Sequence, residues 1–166
     1  MAYRITAVCL GNICRSPIAE AVIRDRVRAA GFDDRVVVDS SGTGDWHVGG
    51  LADPRTRATL DAADYEHDHR ARQIDASWMA NIDLLLAMDS SNYANLQAMV
   101  AESGADVELR MIRSFDPDLA HLEEPHPDLD VPDPYYGEQD DFVAVLEMIE
   151  RAADALVVEL PARMQQ

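Results

Sequence analysis

The sequence predicts an α/β fold built on an open four-stranded parallel sheet with helices on both faces. Three observations predict it. Strand-like and helix-like segments alternate along the chain, which implies parallel strands joined by right-handed crossovers. The run Ile82 to Met88 (IDLLLAM) is almost wholly apolar, as a strand covered on both faces must be. The 166 residues suit a single domain, 1–166, large enough to bury about 70% of its unfolded surface without staples.

The elements follow in order. Arg4 to Val8 reads as a short first strand, followed by a loop that holds the only two cysteines, Cys9 and Cys14. Ser16-Pro17 opens a helix, since proline at the first helical position loses no hydrogen bond. Ile18, Val22 and Val27 mark its apolar face and Gly31 its stop. Val36 to Val38 is a second, buried-type strand that runs into Asp39-Ser40-Ser41-Gly42. Asp53-Pro54 begins a second helix through Leu60 to about Ala63. IDLLLAM is the third strand, after which Asp89-Ser90-Ser91-Asn92 caps a third helix to about Glu102. Val107 to Ile112 is more mixed, as suits a sheet edge. The last helix, about Gln139 to Leu160, carries Phe142, Val145, Leu146, Ile149, Ala153 and Leu156 at helical spacing. Residues 114–138 fit no element. They form a Pro-rich acidic loop, and loops that long are functional or disordered.

Composition removes several function classes. A formal net charge of −17 argues against binding nucleic acid or anionic membranes through a basic surface. Every basic residue is Arg and none is Lys, which excludes Schiff-base and P-loop lysine chemistry. No run approaches the ~20 apolar residues of a membrane span. The first residues show no basic segment followed by an apolar one, and two cysteines suit a reducing compartment, so a cytoplasmic location is expected.

The stretch Cys9-Leu10-Gly11-Asn12-Ile13-Cys14-Arg15-Ser16 joins the first strand to the first helix. Binding crevices of open α/β sheets lie beyond the carboxyl ends of the strands, where Cys9 stands. Successive backbone N–H groups in a tight loop make an anion nest, and the helix start adds partial positive charge. Gly11 and Asn12 tolerate the dihedrals such a loop demands. Arg15 adds a planar fork of donors that matches two oxygens of a phosphate. A cysteine among these groups favours its thiolate, an in-line nucleophile for phosphorus. Spacing alone leaves ordinary packing as a competing reading of both cysteines. A zinc site would need further ligands, and no Cys or His pair stands nearby at a suitable spacing.

The full string VCLGNICRSPIAEAV resembles the active-site signature of the low-molecular-weight protein tyrosine phosphatases. Asp133-Pro134-Tyr135-Tyr136-Gly137 resembles the general-acid loop of the same family. Val38-Asp39-Ser40, Gly42-Thr43, Trp46, His69-Arg70-Ala71-Arg72-Gln73 and Met88-Asp89 fall between them in the family's order. The resemblance implies a flavodoxin-like winding and a cofactor-free, metal-free monomer acting on tyrosine-phosphorylated proteins. It casts Cys9 as the nucleophile that forms a phosphocysteine. Arg15 would bind the phosphoryl oxygens, with Leu10, Gly11, Asn12, Ile13 and Cys14 lending the cradle amides. Ser16 would stabilise the thiolate, and Asn12 would hold the loop through Ser40 and His69. Asp133, carried by the 114–138 loop, would act as general acid and then base. Trp46, Tyr135 and Tyr136 would wall the mouth. Cys14 reads either as packing or as a thiol that captures an oxidised Cys9 in a disulfide.

Two other classes share these features. Thioredoxin-coupled arsenate reductases resemble this fold and loop, but they need further cysteines, and none follows Cys14. A non-catalytic phosphotyrosine-binding module would be favoured by loss of the nucleophile or the acid, yet Cys9 and Asp133 are both present. The acidic stretch around Asp133 is expected to favour substrates with basic residues flanking the phosphotyrosine.

Overall fold

The computed structural model describes residues 1–165. Four strands, β1 (Tyr3–Cys9), β2 (Val36–Gly42), β3 (Leu84–Ala87) and β4 (Glu108–Met111), form one all-parallel sheet in the order β2-β1-β3-β4. The helices α1 (Arg15–Ala29), α2 (Pro54–Ala62), α3 (Ser90–Ser103) and α4 (Gln139–Met164) complete the expected α/β class. β4 lies at an edge, as its mixed sequence anticipates.

Period-two alternation sends the strands' side chains to two cores. Ile5, Ala7 and Cys9 of β1 and Leu84 and Leu86 of β3 face α1 and α4, where Ile18, Val22, Leu146 and Ile149 meet them. Val8, Leu85 and Ala87 face the other way, toward Leu96 of α3 and Met79 of a short 3-10 turn. Both faces are buried, so IDLLLAM shows no polar alternation. Each such leucine or isoleucine contributes about 1.5–3 kcal/mol of burial free energy.

Boundaries shift where local hydrogen bonding competes with the sheet. Ile82 closes the Ala76–Asn81 turn by donating its N–H to the Met79 carbonyl, so β3 begins two residues later than the apolar run. The 114–138 segment is packed rather than loose. Short 3-10 turns span Ile112–Phe115, Pro117–Leu119 and Pro127–Leu129, and Leu129 and Val131 are fully buried. Arginines tie its acidic residues down. Arg151 Nε donates to Asp116 Oδ2 at 3.1 Å, and Arg110 Nε to Glu124 Oε2 at 2.6 Å. Arg113 Nη1 reaches the Asp130 carbonyl at 3.0 Å.

Helix starts are treated unequally. Asp53 and Asp89 cap α2 and α3 by accepting the N–H groups of Arg55 at 2.8 Å and Asn92 at 2.7 Å. At α1 the N-cap is Cys14, whose side chain makes no capping bond, so the first-turn amides remain open to a ligand. No helix among the described residues is long and apolar enough to cross a membrane.

Candidate active site

The loop after β1 is turned inside out by its carbonyls. Those of Cys9 and Leu10 accept the N–H groups of Thr43 and Gly44, and that of Ile13 accepts the N–H of Asp53. The Asn12 carbonyl is 2.6 Å from His69 Nε2, and that of Cys14 is 3.4 Å from Thr56 Oγ1. A planar trans peptide directs its N–H opposite to its C=O. The amides of Leu10, Gly11, Ile13, Cys14 and Arg15 therefore project away from this ring of partners, as an anion cradle requires. Gly42 makes the arrangement possible. A Cβ there would stand 2.7 Å from the Leu10 carbonyl oxygen and 3.0 Å from the Asn12 nitrogen.

Asn12 takes a left-handed backbone, φ 57°, and its buried amide fixes that turn from both ends. Oδ1 accepts the Arg72 N–H at 2.9 Å, while Nδ2 donates to Ser16 Oγ at 2.8 Å and Ser40 Oγ at 3.0 Å. The Ser40 hydroxyl in turn donates to Glu20 Oε1 at 2.6 Å. Ser16, already accepting from Asn12, stands 3.0 Å from Cys9 Sγ and 3.4 Å from the Ser41 carbonyl. Its hydroxyl proton is thus best placed for the sulfur, which also accepts the Asn12 N–H at 3.3 Å. Burial works to raise the Glu20 pKa, but His69, Ser40 and Arg24 outweigh it and hold the carboxyl below its ordinary value.

The Arg15 guanidinium lies beside this sulfur, almost fully buried. Nη1 donates to Asp89 Oδ2 at 2.7 Å and to the Val131 carbonyl at 2.9 Å. Nη2 is 3.8 Å from Asp133 Oδ2. Burial acts to lower the Arg15 pKa, yet Cys9, Asp89 and Asp133 keep it above its ordinary value. Asp133 is half exposed, and its Oδ1 accepts the Tyr135 N–H at 3.1 Å. Tyr135 and Tyr136 meet edge to face at 4.9 Å between centroids.

Sequence comparison decides the family. The family model described as low molecular weight phosphotyrosine protein phosphatase matches residues 4–166. The chain belongs to this family. A low molecular weight protein-tyrosine-phosphatase of Streptomyces coelicolor is 45% identical over 165 residues, covering 99% of this chain and 98% of that protein. A protein tyrosine phosphatase structure from Entamoeba histolytica superposes with a TM-score of 0.84 at 31% identity, covering 97% and 98% of the two chains. A Drosophila arginine phosphatase structure has a TM-score of 0.85 at 26% identity, with coverage of 94% and 96%.

Within this low-molecular-weight phosphatase fold, the residues singled out from sequence converge unequally. Cys9, Asn12, Arg15, Ser16, Ser40, His69 and Asp133 form one connected cluster. Leu10 is exposed at the rim, whereas Ile13 and Cys14 pack with Ala71 and Phe142. Burial, then the charges of Asp53, Cys9 and Asp133, push the Cys14 thiol up to about 12. Trp46 is largely exposed. Its ring lies over Gly44, where any Cβ would come within 1.9 Å of it. Asp89, Glu20 and Arg72 escaped the sequence reading. Asp89 was legible as a helix cap and, like Arg72, within a short string that resembles the family's, and Glu20 only within the longer signature string, none of them with a role in the site. Among the described residues no group of three or more His, Cys, Asp or Glu could hold a metal ion.

Proposed function

We propose that the chain hydrolyses phosphotyrosine in proteins, and aryl phosphates, through a phosphocysteine on Cys9. One observation carries the reading. A sulfur with two donors, a buried guanidinium and a carboxylate 3.8 Å from that guanidinium meet at the end of β1. Amides of the 10–15 loop and Arg15 take up the phosphoryl oxygens, stabilising charge as it spreads in transfer. Cys9 Sγ bonds to phosphorus as the ester P–O bond breaks, and Asp133 gives its proton to the departing phenolate. Water then loses a proton to Asp133 and attacks phosphorus, and the S–P bond breaks to release phosphate. Asn12, Ser16, Ser40 and His69 hold the loop. Trp46, Tyr135 and Tyr136 line the mouth against the ring. All these groups come from one chain, which supports action as a monomer, and the need to keep Cys9 a free thiol supports a cytoplasmic setting.

Hydrolysis of p-nitrophenyl phosphate and of a phosphotyrosine peptide tests this, with phosphoarginine as the competing substrate. Wild type should cleave both esters, and Cys9→Ser neither. An inactive wild type, full activity in Cys9→Ser, or a preference for phosphoarginine overturns it.

A further inference from the structure

The turn bearing Asp133 has little behind it. A cavity of about 280 Å³ separates Pro132, Pro134 and Gly137 from Ala144, Val145 and Met148 of α4. Its internal bonds, Tyr135 N–H to Asp133 Oδ1 and Gly137 N–H to the Pro134 carbonyl at 2.9 Å, shape the turn but do not place it.

Beside the Arg15–Asp133 ion pair at 3.8 Å, one side chain holds it by hydrogen bonds. Arg55 Nη2 donates to the Tyr135 carbonyl at 2.8 Å, and Nη1 to the Gly137 carbonyl at 2.9 Å. Among the described residues, every hydrogen bond entering 133–137 from outside 130–141 comes from this guanidinium. The fork is itself aimed by Asp53, which accepts Nε on Oδ1 at 3.0 Å and Nη2 on Oδ2 at 2.9 Å. The guanidinium also lies 4.5 Å over the Phe142 ring. Asp53 in turn donates its N–H to the Ile13 carbonyl at 2.9 Å, within the phosphate-binding loop. A continuous chain of bonds thus runs from that loop through Asp53 and Arg55 to the turn.

We propose that Arg55 is a positioning residue, a latch that holds Asp133 at the distance from the phosphate-binding loop needed to protonate the leaving group. Its catalytic consequence rests on the phosphatase reading; its structural consequence does not. A planar fork can bridge a carboxylate and two carbonyls at once, which an ammonium cannot. Loss of the latch leaves the loop amides and Arg15 in place and weakens both proton transfers of Asp133, of which kcat/KM, set by the steps up to the phosphocysteine, reports only the delivery to the leaving group. The deficit should therefore scale with how badly the leaving group needs a proton.

Arg55→Met keeps the stem and removes the fork. Expected is a fall in kcat/KM of about 10-fold or more, within the ~10²–10⁴-fold span of acid catalysis, for phenyl phosphate. For an ester of a strongly acidic phenol the fall should stay under about 3-fold, and Arg55→Lys should resemble Arg55→Met. In an Asp133→Ala background the same substitution should cost almost nothing further. Amide hydrogen exchange supplies a readout free of turnover, with Tyr135 and Gly137 exchanging faster in Arg55→Met and β1 unchanged. Unaltered exchange at those amides overturns the latch. So does an equal loss on both esters, or a loss undiminished without Asp133. If wild type cleaves neither ester, the phosphatase reading falls, and the exchange measurement still decides the latch.

Discussion

Arg15 and Asp89, 74 residues apart in sequence, meet at 2.7 Å where β1 and β3 end side by side. Asp89 does two jobs with two oxygens, Oδ2 anchoring Arg15 and Oδ1 capping α3. An amide has only one acceptor oxygen, so Asp89→Asn must give up one of them. Asparagine is a good N-cap, so the helix should keep its start and the guanidinium should lose its ionic partner. A hydrogen bond to a charged group contributes about 1.5–3 kcal/mol. At 1.36 kcal/mol per tenfold, kcat/KM on aryl phosphates should fall about 10- to 100-fold. The thermal midpoint should drop by only a few degrees, on the order of 1 kcal/mol for a domain this size. Unchanged kcat/KM would mean the Val131 carbonyl orients Arg15 by itself.

The two thiols should differ in reactivity. Cys14 packs against Ile13, Ala71 and Phe142, and its thiol is pushed up to about 12, so it stays protonated at neutral pH. Cys9 Sγ accepts the Asn12 N–H at 3.3 Å and belongs to the loop whose amides form the anion cradle, which draws in an anionic reagent. Limiting iodoacetate at pH 7 should therefore carboxymethylate Cys9 at least about tenfold faster than Cys14, and inorganic phosphate should protect Cys9. Peptide mass spectrometry reads the order directly. Equal labelling would remove the assigned inequality.

Much of this architecture was legible because it is local. Alternating elements, the apolar β3 run and the aspartate caps each depend on a few neighbouring residues. The loop Cys9 to Ser16 was legible for the same reason, being contiguous. What escaped the sequence depends on residues brought together across the fold. Glu20 is an unremarked acid on a helix until Ser40 and His69 fold beside it. Arg55 looks like one more charge in the first turn of α2 until the 133–137 turn closes over it. The 114–138 stretch looked unstructured because its order comes from Arg110, Arg113 and Arg151, all outside it, and from two apolar residues with no local period.

Stability should fall away on both sides of a neutral plateau. Glu20, Asp53 and Asp116 are each held below their ordinary values of 4.5, 3.8 and 3.8, chiefly against burial at Glu20 and Asp116 and by the Arg55 hydrogen bond at Asp53. A depressed carboxyl contributes stability that is complete above its unfolded pKa and lost as pH falls through the folded one. That limb lies below about pH 4.5. Cys14 and Tyr65 are raised to about 12 by burial, from 9.0 and 10.0. Their contribution is complete below pH 9 and is lost as pH climbs toward 12. Thermal midpoints across pH 3–11 at fixed ionic strength should show the plateau from about 5 to 9. Glu20→Gln should flatten the acid limb relative to wild type. An acid limb unchanged by that substitution would assign it to the other carboxyls.

Electrostatics should reach the substrate as well. The chain carries a formal net charge of −17, and no Arg or Lys lies between Arg113 and Arg151, the stretch that includes Asp133. Part of that charge is neutralised, since Asp116, Asp118 and Glu124 pair with Arg151 and Arg110. Asp128, Glu138 and Asp140 remain exposed around the turn that carries Asp133. A phosphotyrosine flanked by arginines should be steered toward this face, and one flanked by glutamates repelled, mainly through kcat/KM rather than kcat. The screening length is about 30 Å at 0.01 M salt and about 8 Å at 0.15 M, so the preference should shrink as salt is added. Matched phosphopeptides compared at both ionic strengths measure it. Asp128→Asn with Asp140→Asn should reduce the preference without touching the phosphate-binding loop. A preference that is absent at low salt would mean the arginine pairs already cancel the field that a docking peptide feels.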